Sequence, residues 1–105
     1  MVHHIVLLKL KSSVTAEKLD EMIRTSRSQL LKIPEVLNLR SGKNIELDSE
    51  WAFFIAIDVE STAKLAMCEE DAVYVKFVEE VVKPNIVHSL TLNYEMEPGK
   101  DIKYS

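Results

Sequence analysis

Val2-His3-His4-Ile5-Val6-Leu7-Leu8-Lys9-Leu10-Lys11, the first stretch of the chain, decides the fold. Successive side chains of a strand point to opposite faces, and both alternating rows of this stretch are largely apolar. Such a strand requires cover on both faces. The helices of a 105-residue chain can cover one face, so we expect a partner subunit to cover the other.

Length and composition indicate one globular domain. The 105 residues suffice for a single core, and 47% hydrophobic with 29% charged residues is typical of an ordered protein. A net charge of −4 with scattered basic residues argues against nucleic acid or membrane partners. The single cysteine, Cys68, excludes an internal disulfide, and no apolar run is long enough for a membrane span or a signal. We therefore expect a cytoplasmic protein.

The first half of the remaining chain predicts one helix and two strands. Ser12, Ser13 and Thr15 supply hydroxyls that can cap a helix of about five turns, which Pro34 ends. Residues 36–43 predict a second strand, and residues 51–59 predict a third that is apolar on both faces. One face of the helix carries apolar residues at spacings of three and four, with one serine among them: Leu19, Met22, Ile23, Ser26, Leu30 and Ile33.

The second half predicts a short helical piece, a second helix and a last strand. Residues 60–62 cap the short piece, and the acidic run 69–71 is interpreted as the start of the second helix, which Pro84 ends. The last strand, residues 86–95, alternates an apolar row with a polar one. Residues 1–97 are expected to form the domain, and residues 98–105 a C-terminal tail.

This order of elements predicts an α+β protein with the ferredoxin-like βαββαβ arrangement. Right-handed crossovers give an antiparallel four-stranded sheet with both helices on one face and the first and third strands in the middle. These two strands are the ones that are apolar on both faces. The open face of the sheet then predicts a symmetric homodimer in which two sheets pack together, a dimeric α+β barrel.

The sequence resembles the stress-responsive α/β-barrel domain family of the dimeric α+β barrel superfamily. The resemblance covers about nine-tenths of the chain, and its ordered elements are residues 4–11, 33–36, 58–61, 75–77, 83–84 and 93–95. It implies a homodimer and a cavity between the sheet and the helices of each subunit. In some relatives main-chain carbonyls at the end of the first helix hold a cation, and the matching positions are Leu30, Ile33 and Val36.

Some plant relatives are polyketide cyclases that use histidines and a tyrosine in this cavity. The resemblance matches His4 to their first-strand histidine, whereas Tyr74 stands at the position of their helical catalytic histidine. Cys68 replaces their tyrosine, and Phe53 replaces a histidine of the third strand. Haem-degrading members of the superfamily carry an iron-binding histidine on the second helix, and this helix has none. We expect no cofactor and no metal.

These considerations define candidate site residues. His4 and Tyr74 are the candidate catalytic residues, and His3 projects to the opposite face from His4, so the pair cannot bind one ion from one side. The expected ligand pocket includes Ser26, Phe53, Cys68, Thr91 and Asn93, with Ser89 in the same row. The expected dimer interface consists of His3, Ile5, Leu7, Phe54, Leu90 and Leu92.

Three functions remain open on the sequence. The first is a homodimer that binds a small polar or mixed ligand without catalysis, with His4 as an ordinary semi-buried histidine. The second is a small cyclase, isomerase or cofactor-independent oxygenase in which His4 is the base, while Tyr74 and Asn93 donate hydrogen bonds to a developing enolate. The third is a structural module whose purpose is assembly.

Overall fold

The computed structural model describes residues 1–97, so the prediction of a tail over residues 98–105 lies outside the described residues. The strands and helices follow one another along the chain in the expected order. They are β1 (Val2–Leu10), α1 (Ala16–Leu30), β2 (Asn38–Lys43), β3 (Phe53–Val59), α2 (Thr62–Glu70), α3 (Ala72–Phe77) and β4 (Ile86–Glu95). None of the helices in this part of the chain combines the length and apolar character that a membrane span requires.

The four strands form one antiparallel sheet in the order β2-β3-β1-β4. The two strands that are apolar on both faces are therefore central, which confirms the predicted ferredoxin-like arrangement. Opposite residues of neighbouring strands share a face, and His4 pairs with Ile57 on one side and Asn93 on the other. This register places His4 and Asn93 side by side on the same face of the sheet.

Helix α1 begins where the sequence predicts and ends earlier. Thr15 is the N-cap residue, and its hydroxyl accepts a hydrogen bond from the backbone N–H of Lys18 at 3.1 Å. The helix ends at Leu30, four residues before Pro34, because the chain turns there with backbone N–H groups of Lys32 and Ile33 bonded to carbonyls three residues back. The expectation of five turns ending at Pro34 was therefore too long.

The second helical segment is divided into pieces of different geometry. Asp71 ends α2 and caps α3, since its carboxylate accepts a hydrogen bond from the N–H of Val73 at 2.8 Å. Helix α3 then continues as a π-helical turn, Val78–Val82, and a 3₁₀ turn, Lys83–Asn85, before β4. The wider π-helical turn lies over the sheet near β4, where it forms part of a cavity.

The two faces of the sheet differ in cover. On the helix side, core side chains such as Leu8, Phe53, Ile57 and Val59 are at most 1% exposed. On the opposite side, which we call the outer face, Ile5, Leu7 and Phe54 remain half-buried. The described chain thus covers one face of its central strands and leaves the other open.

Candidate functional site

A cavity of about 180 Å³ lies between the sheet and the helices. Most of its wall is aliphatic or aromatic, and its polar side chains belong to His4, Tyr74, Glu69, Ser89 and Thr91. Ser89 and Thr91 are exposed, so the cavity opens along β4. The apolar part of the wall consists of Val6, Leu8, Leu30, Ile55, Ile57, Phe77, Val78 and Val82.

His4 is the most buried polar group of this cavity, with 2% of the residue exposed. Its Nδ1 lies 2.6 Å from Oδ1 of Asn93, which is opposite His4 in β4. A carbonyl oxygen can only accept, so Nδ1 carries the proton and donates to Asn93. In the neutral ring Nε2 is then unprotonated, and its lone pair is available on the cavity side.

Tyr74 faces His4 from α3. The Tyr74 hydroxyl lies 3.3 Å from Nε2 of His4, and the two ring centroids are 6.5 Å apart. Since Nε2 is an acceptor, the hydroxyl donates this long hydrogen bond. Burial raises the pKa of Tyr74 to about 12, and the negative charge of Glu69 and the nearby Cys68 add to the shift. Tyr74 therefore remains a neutral hydrogen-bond donor at physiological pH.

Glu69 is a member of the cavity wall that sequence reasoning missed. It lies near the end of α2, and it lines both the cavity and an adjoining surface depression that also contains Tyr74 and Val78. The acidic run was interpreted as the start of a helix, which fits only Asp71. The sequence does not distinguish Glu69 from its acidic neighbours Glu70 and Asp71. Which of the three side chains faces the cavity depends on the residue at which α2 ends.

Three residues expected in the pocket are buried elsewhere in the core. Ser26 donates to the carbonyl of Ile23 at 2.6 Å and shares a hydrogen bond of 2.8 Å with the hydroxyl of Ser41, so its oxygen is directed into the contact between α1 and β2. Phe53 and Cys68 are fully buried without lining the cavity. Burial is the main cause that raises the pKa of Cys68 to about 11, and the negative charge of Glu35 adds to the increase. Its thiol is accordingly unreactive at neutral pH.

The remaining pocket predictions lie around His4. Thr91 lines the cavity, whereas Asn93 is an exposed residue beside His4 on β4, where it is the hydrogen-bond partner of His4 without being part of the wall. Asn93 thus contacts His4 through the ring nitrogen that points away from Tyr74. Asn93 therefore orients the ring of His4, and the expected hydrogen bond from Asn93 to an enolate stays a prediction.

The residues expected at a dimer interface share the outer face. The pairs His3 with Tyr94, Ile5 with Leu92, and Leu7 with both Leu90 and Phe54 follow from the register. One end of this face is polar, because His3 Nδ1 donates to Asp58 at 2.6 Å and Arg40 lies 3.4 Å from the same carboxylate. The middle of the outer face is apolar.

Within residues 1–97 no three His, Cys, Asp or Glu side chains are grouped closely enough to hold a metal ion. At the end of α1 the carbonyl oxygens of Leu30 and Ile33 accept backbone hydrogen bonds from Ile33 and Val36, at 3.2 and 3.1 Å. These are the positions that the resemblance relates to a cation site. Here they form consecutive turns of the chain.

Comparison with solved structures identifies the same fold in several proteins. A Dabb family protein with a ferredoxin-like fold from Mesorhizobium loti is 17% identical to this chain, with a TM-score of 0.79. The match covers 91% of this chain and 96% of that protein. A dimeric ferredoxin-like protein of unknown function from Thermobifida fusca is 16% identical with a TM-score of 0.81, covering 90% of each chain. A hydroxynitrile lyase from Passiflora edulis is 19% identical with a TM-score of 0.78, covering 92% and 94%.

These identities are low enough that the likenesses establish the fold alone. A comparison with curated protein sequences gave no match. The sequence profile of the stress responsive A/B barrel domain, in contrast, matches residues 2–96, which is nearly the whole chain. The protein therefore belongs to the stress responsive A/B barrel domain family.

Proposed function

We propose that this protein is a homodimer and that each subunit binds a small, mainly apolar molecule with one polar group in the cavity described above. The arrangement of Asn93, His4 and Tyr74 at the cavity wall carries this proposal. Asn93 fixes the ring of His4, and Nε2 keeps only a long contact of 3.3 Å with Tyr74. A ligand can therefore replace that contact with a better hydrogen bond.

The size of the cavity limits the ligand. An apolar protein cavity of about 150 Å³ can hold benzene, so a cavity of about 180 Å³ suits one six-membered ring with a short substituent. The aliphatic wall favours burial of the ring, and His4 and Tyr74 favour a polar substituent at that end. This assignment narrows the sequence-based expectation of a small polar or mixed ligand to a mixed one, since Ser26 and Cys68 do not line the wall.

Titration with benzamide tests ligand binding. In ¹H–¹⁵N spectra we expect saturable shifts at residues of the wall, including His4 and Tyr74. Replacing His4 with Ala should weaken binding by about fivefold, because about one hydrogen bond is lost. His88→Ala, at an exposed histidine outside the cavity, is the matched control. Shifts that are absent, or scattered over the surface, would contradict binding in the cavity and leave assembly as the function.

The open face supports the dimer. Ile5, Leu7 and Phe54 are half-buried there, and an apolar area at the centre of a sheet is favourable only when it is covered. The face is opposite the cavity, so two subunits can pack through it while both cavities keep their openings. The relative from Thermobifida fusca is described as dimeric, which agrees with this assembly.

A second candidate function is proton transfer next to a carbonyl group. It is favoured by the unprotonated Nε2 of His4, which lies beside the hydroxyl of a tyrosine that stays neutral. In this scheme Nε2 removes a proton from the carbon next to the carbonyl, and Tyr74 donates a hydrogen bond to the oxygen of the resulting enolate. His4⁺ then returns the proton.

Exchange of acetophenone methyl protons in D₂O distinguishes the two functions. Catalysed exchange that is lost in His4→Ala and strongly reduced in Tyr74→Phe would support the enzyme. Binding of acetophenone without exchange above the buffer rate would remove proton transfer and leave ligand binding.

A further inference from the structure

A charged side chain lines the cavity. Glu69 is the only Asp, Glu, Lys or Arg side chain in the part of the wall that residues 1–97 form. Glu69 is exposed, and it also lines the adjoining depression together with Tyr74, so its charge is near the end of the cavity that holds the Tyr74 hydroxyl. Glu79 lies in the same depression, but its charge is paired with Lys83 at 2.6 Å.

Of the polar side chains beside Tyr74, those of His4 and Glu69 present acceptors, while Ser89 and Thr91 on β4 carry hydroxyls that can donate or accept. His4 presents the lone pair of Nε2, because its proton is held on Nδ1 by Asn93. The carboxylate of Glu69 can only accept, and Tyr74 has a single proton to donate. Ligands that bring N–H donors can satisfy these groups, whereas an anionic ligand brings further acceptors and a like charge.

We infer that the cavity selects cationic or neutral ligands that carry N–H donors, such as an amidinium or amine attached to a small apolar ring, and that Glu69 determines this selectivity. The inference rests on the ligand-binding function proposed above and adds the chemical class of the ligand. A donor group at the end of the ring would lie between His4 and Glu69, and an anion there would be repelled.

The influence of Glu69 on its neighbour agrees with this assignment. The charge of Glu69 contributes to the raised pKa of Tyr74, so the carboxylate already opposes a negative charge at the Tyr74 oxygen. A ligand oxyanion at the same end would experience the same unfavourable interaction. The site is therefore better suited to positive or neutral head groups than to negative ones, which also weighs against the enolate of the second candidate function.

Benzamidinium, benzamide and benzoate provide the test, since they share a ring and a planar head group and differ in charge. Dissociation constants are measured by ¹H–¹⁵N titration at about pH 8, where histidine side chains are ordinarily neutral. We expect the wild-type protein to bind benzamidinium at least about fivefold more tightly than benzoate, with benzamide between them. Added salt should reduce the ratio, because one end of the cavity is open to solvent.

Glu69→Gln should bring the benzamidinium-to-benzoate ratio to within about twofold without a large change for benzamide. Glu70→Gln is the matched control, since Glu70 is adjacent and exposed but absent from the wall, and it should retain the wild-type ratio. A wild-type ratio near one, or an equal effect of the two variants, would overturn the inference while benzamide binding still supports the proposed function. Failure of all three compounds to bind would reject both.

Discussion

The hydrogen bond between His4 and Asn93 is a contact whose loss should be costly. His4 is 2% exposed, and its Nδ1–H has Asn93 as its partner at 2.6 Å. Asn93 is itself exposed and the hydrogen bond is part-buried, so Asn93→Ala should lower the free energy of unfolding by about 0.5–1.5 kcal/mol in urea denaturation. Asn93→Asp retains an acceptor and should recover most of the loss. Equal losses in the two variants would show that the hydrogen bond is unimportant for stability.

Tyr74 should make stability depend on pH in the alkaline range. Its pKa is raised from 10.0 to about 12, so folding favours the protonated form. This contribution is fully present below a pH of about 10 and is lost as the pH rises towards about 12. Urea unfolding across this range should therefore show a fall in unfolding free energy that Tyr74→Phe removes.

Tyr94→Phe is the control for this titration, because Tyr94 is 57% exposed and should keep the wild-type pH dependence. Cys68 adds a separate fall that begins near a pH of about 9 and ends near about 11, and it is common to all three proteins. A fall of equal size in wild type and Tyr74→Phe would contradict the assignment.

The sequence predicts part of this site for clear physical reasons. Alternation along β1 and β4 gives the face of each residue, and pairing of adjacent strands then makes a contact between His4 and Asn93 foreseeable. Alternation does not tell how far along the strand the cavity lies. Phe53 was therefore expected at the cavity, but it is fully buried in the core and does not line the wall. Glu69 was missed because the sequence does not show at which residue α2 ends. An acidic residue in the run 69–71 could therefore cap a helix, face solvent or line the cavity.

At the level of elements, a fully buried polar contact joins α1 and β2, in addition to the part-buried hydrogen bond from Arg27 to the carbonyl of Ser41. Ser26 is fully buried, and its hydroxyl contacts the carbonyl of Ile23 and the hydroxyl of Ser41. We expect Ser26→Ala to lower the unfolding free energy by about 1–3 kcal/mol, since Ser41 would lose its partner in the core. The loss in the double variant Ser26→Ala with Ser41→Ala should be smaller than the sum of the single losses.

Ser28→Ala is the matched control in the same helix. Ser28 is exposed and donates only to the carbonyl of Thr25 at 3.2 Å, so its replacement should change stability by less than about 0.5 kcal/mol. Urea denaturation of the four variants provides the comparison. Additive losses in the double variant would show that the two serines are not coupled.

The order and type of the elements were predictable, and their ends were less so. Apolar spacing and capping residues gave every strand and helix, because burial of one face imposes a period of two or 3.6 residues. The π-helical turn Val78–Val82 was not predicted, because its apolar residues Val78, Val81 and Val82 are spaced three and four apart, as they would be in an α-helix. This turn contributes Val78 and Val82 to the cavity, so part of the site depends on a feature without a sequence signal.

For the whole molecule, the two sides of the sheet have separate roles in the proposed function. The helix side holds the core and the cavity, and the outer face has an apolar middle with a polar end around Asp58. Asp58 is 6% exposed on this face because His3 and Arg40 contact its carboxylate. An interface through the outer face would therefore bury apolar side chains without burying an unpaired carboxylate.

Ile5→Lys tests that interface. Ile5 is at the middle of the outer face on the central strand β1, where its side chain is half-buried in the isolated subunit. A lysine there can keep its charge in solvent in a monomer, but two copies in a dimer would bury charges without partners. At micromolar concentration we expect sedimentation velocity to give a dimer for the wild type and a folded monomer for Ile5→Lys.

Leu31→Lys is the control, because Leu31 is 57% exposed beyond the end of α1 and lies outside the sheet. It should remain dimeric, and circular dichroism of all three proteins should give the same helix and strand content. A wild-type monomer would contradict the proposed assembly, since the apolar outer face would then be stable in water. A dimer that persists in Ile5→Lys would instead move the interface to another surface, and the open face would need a different explanation.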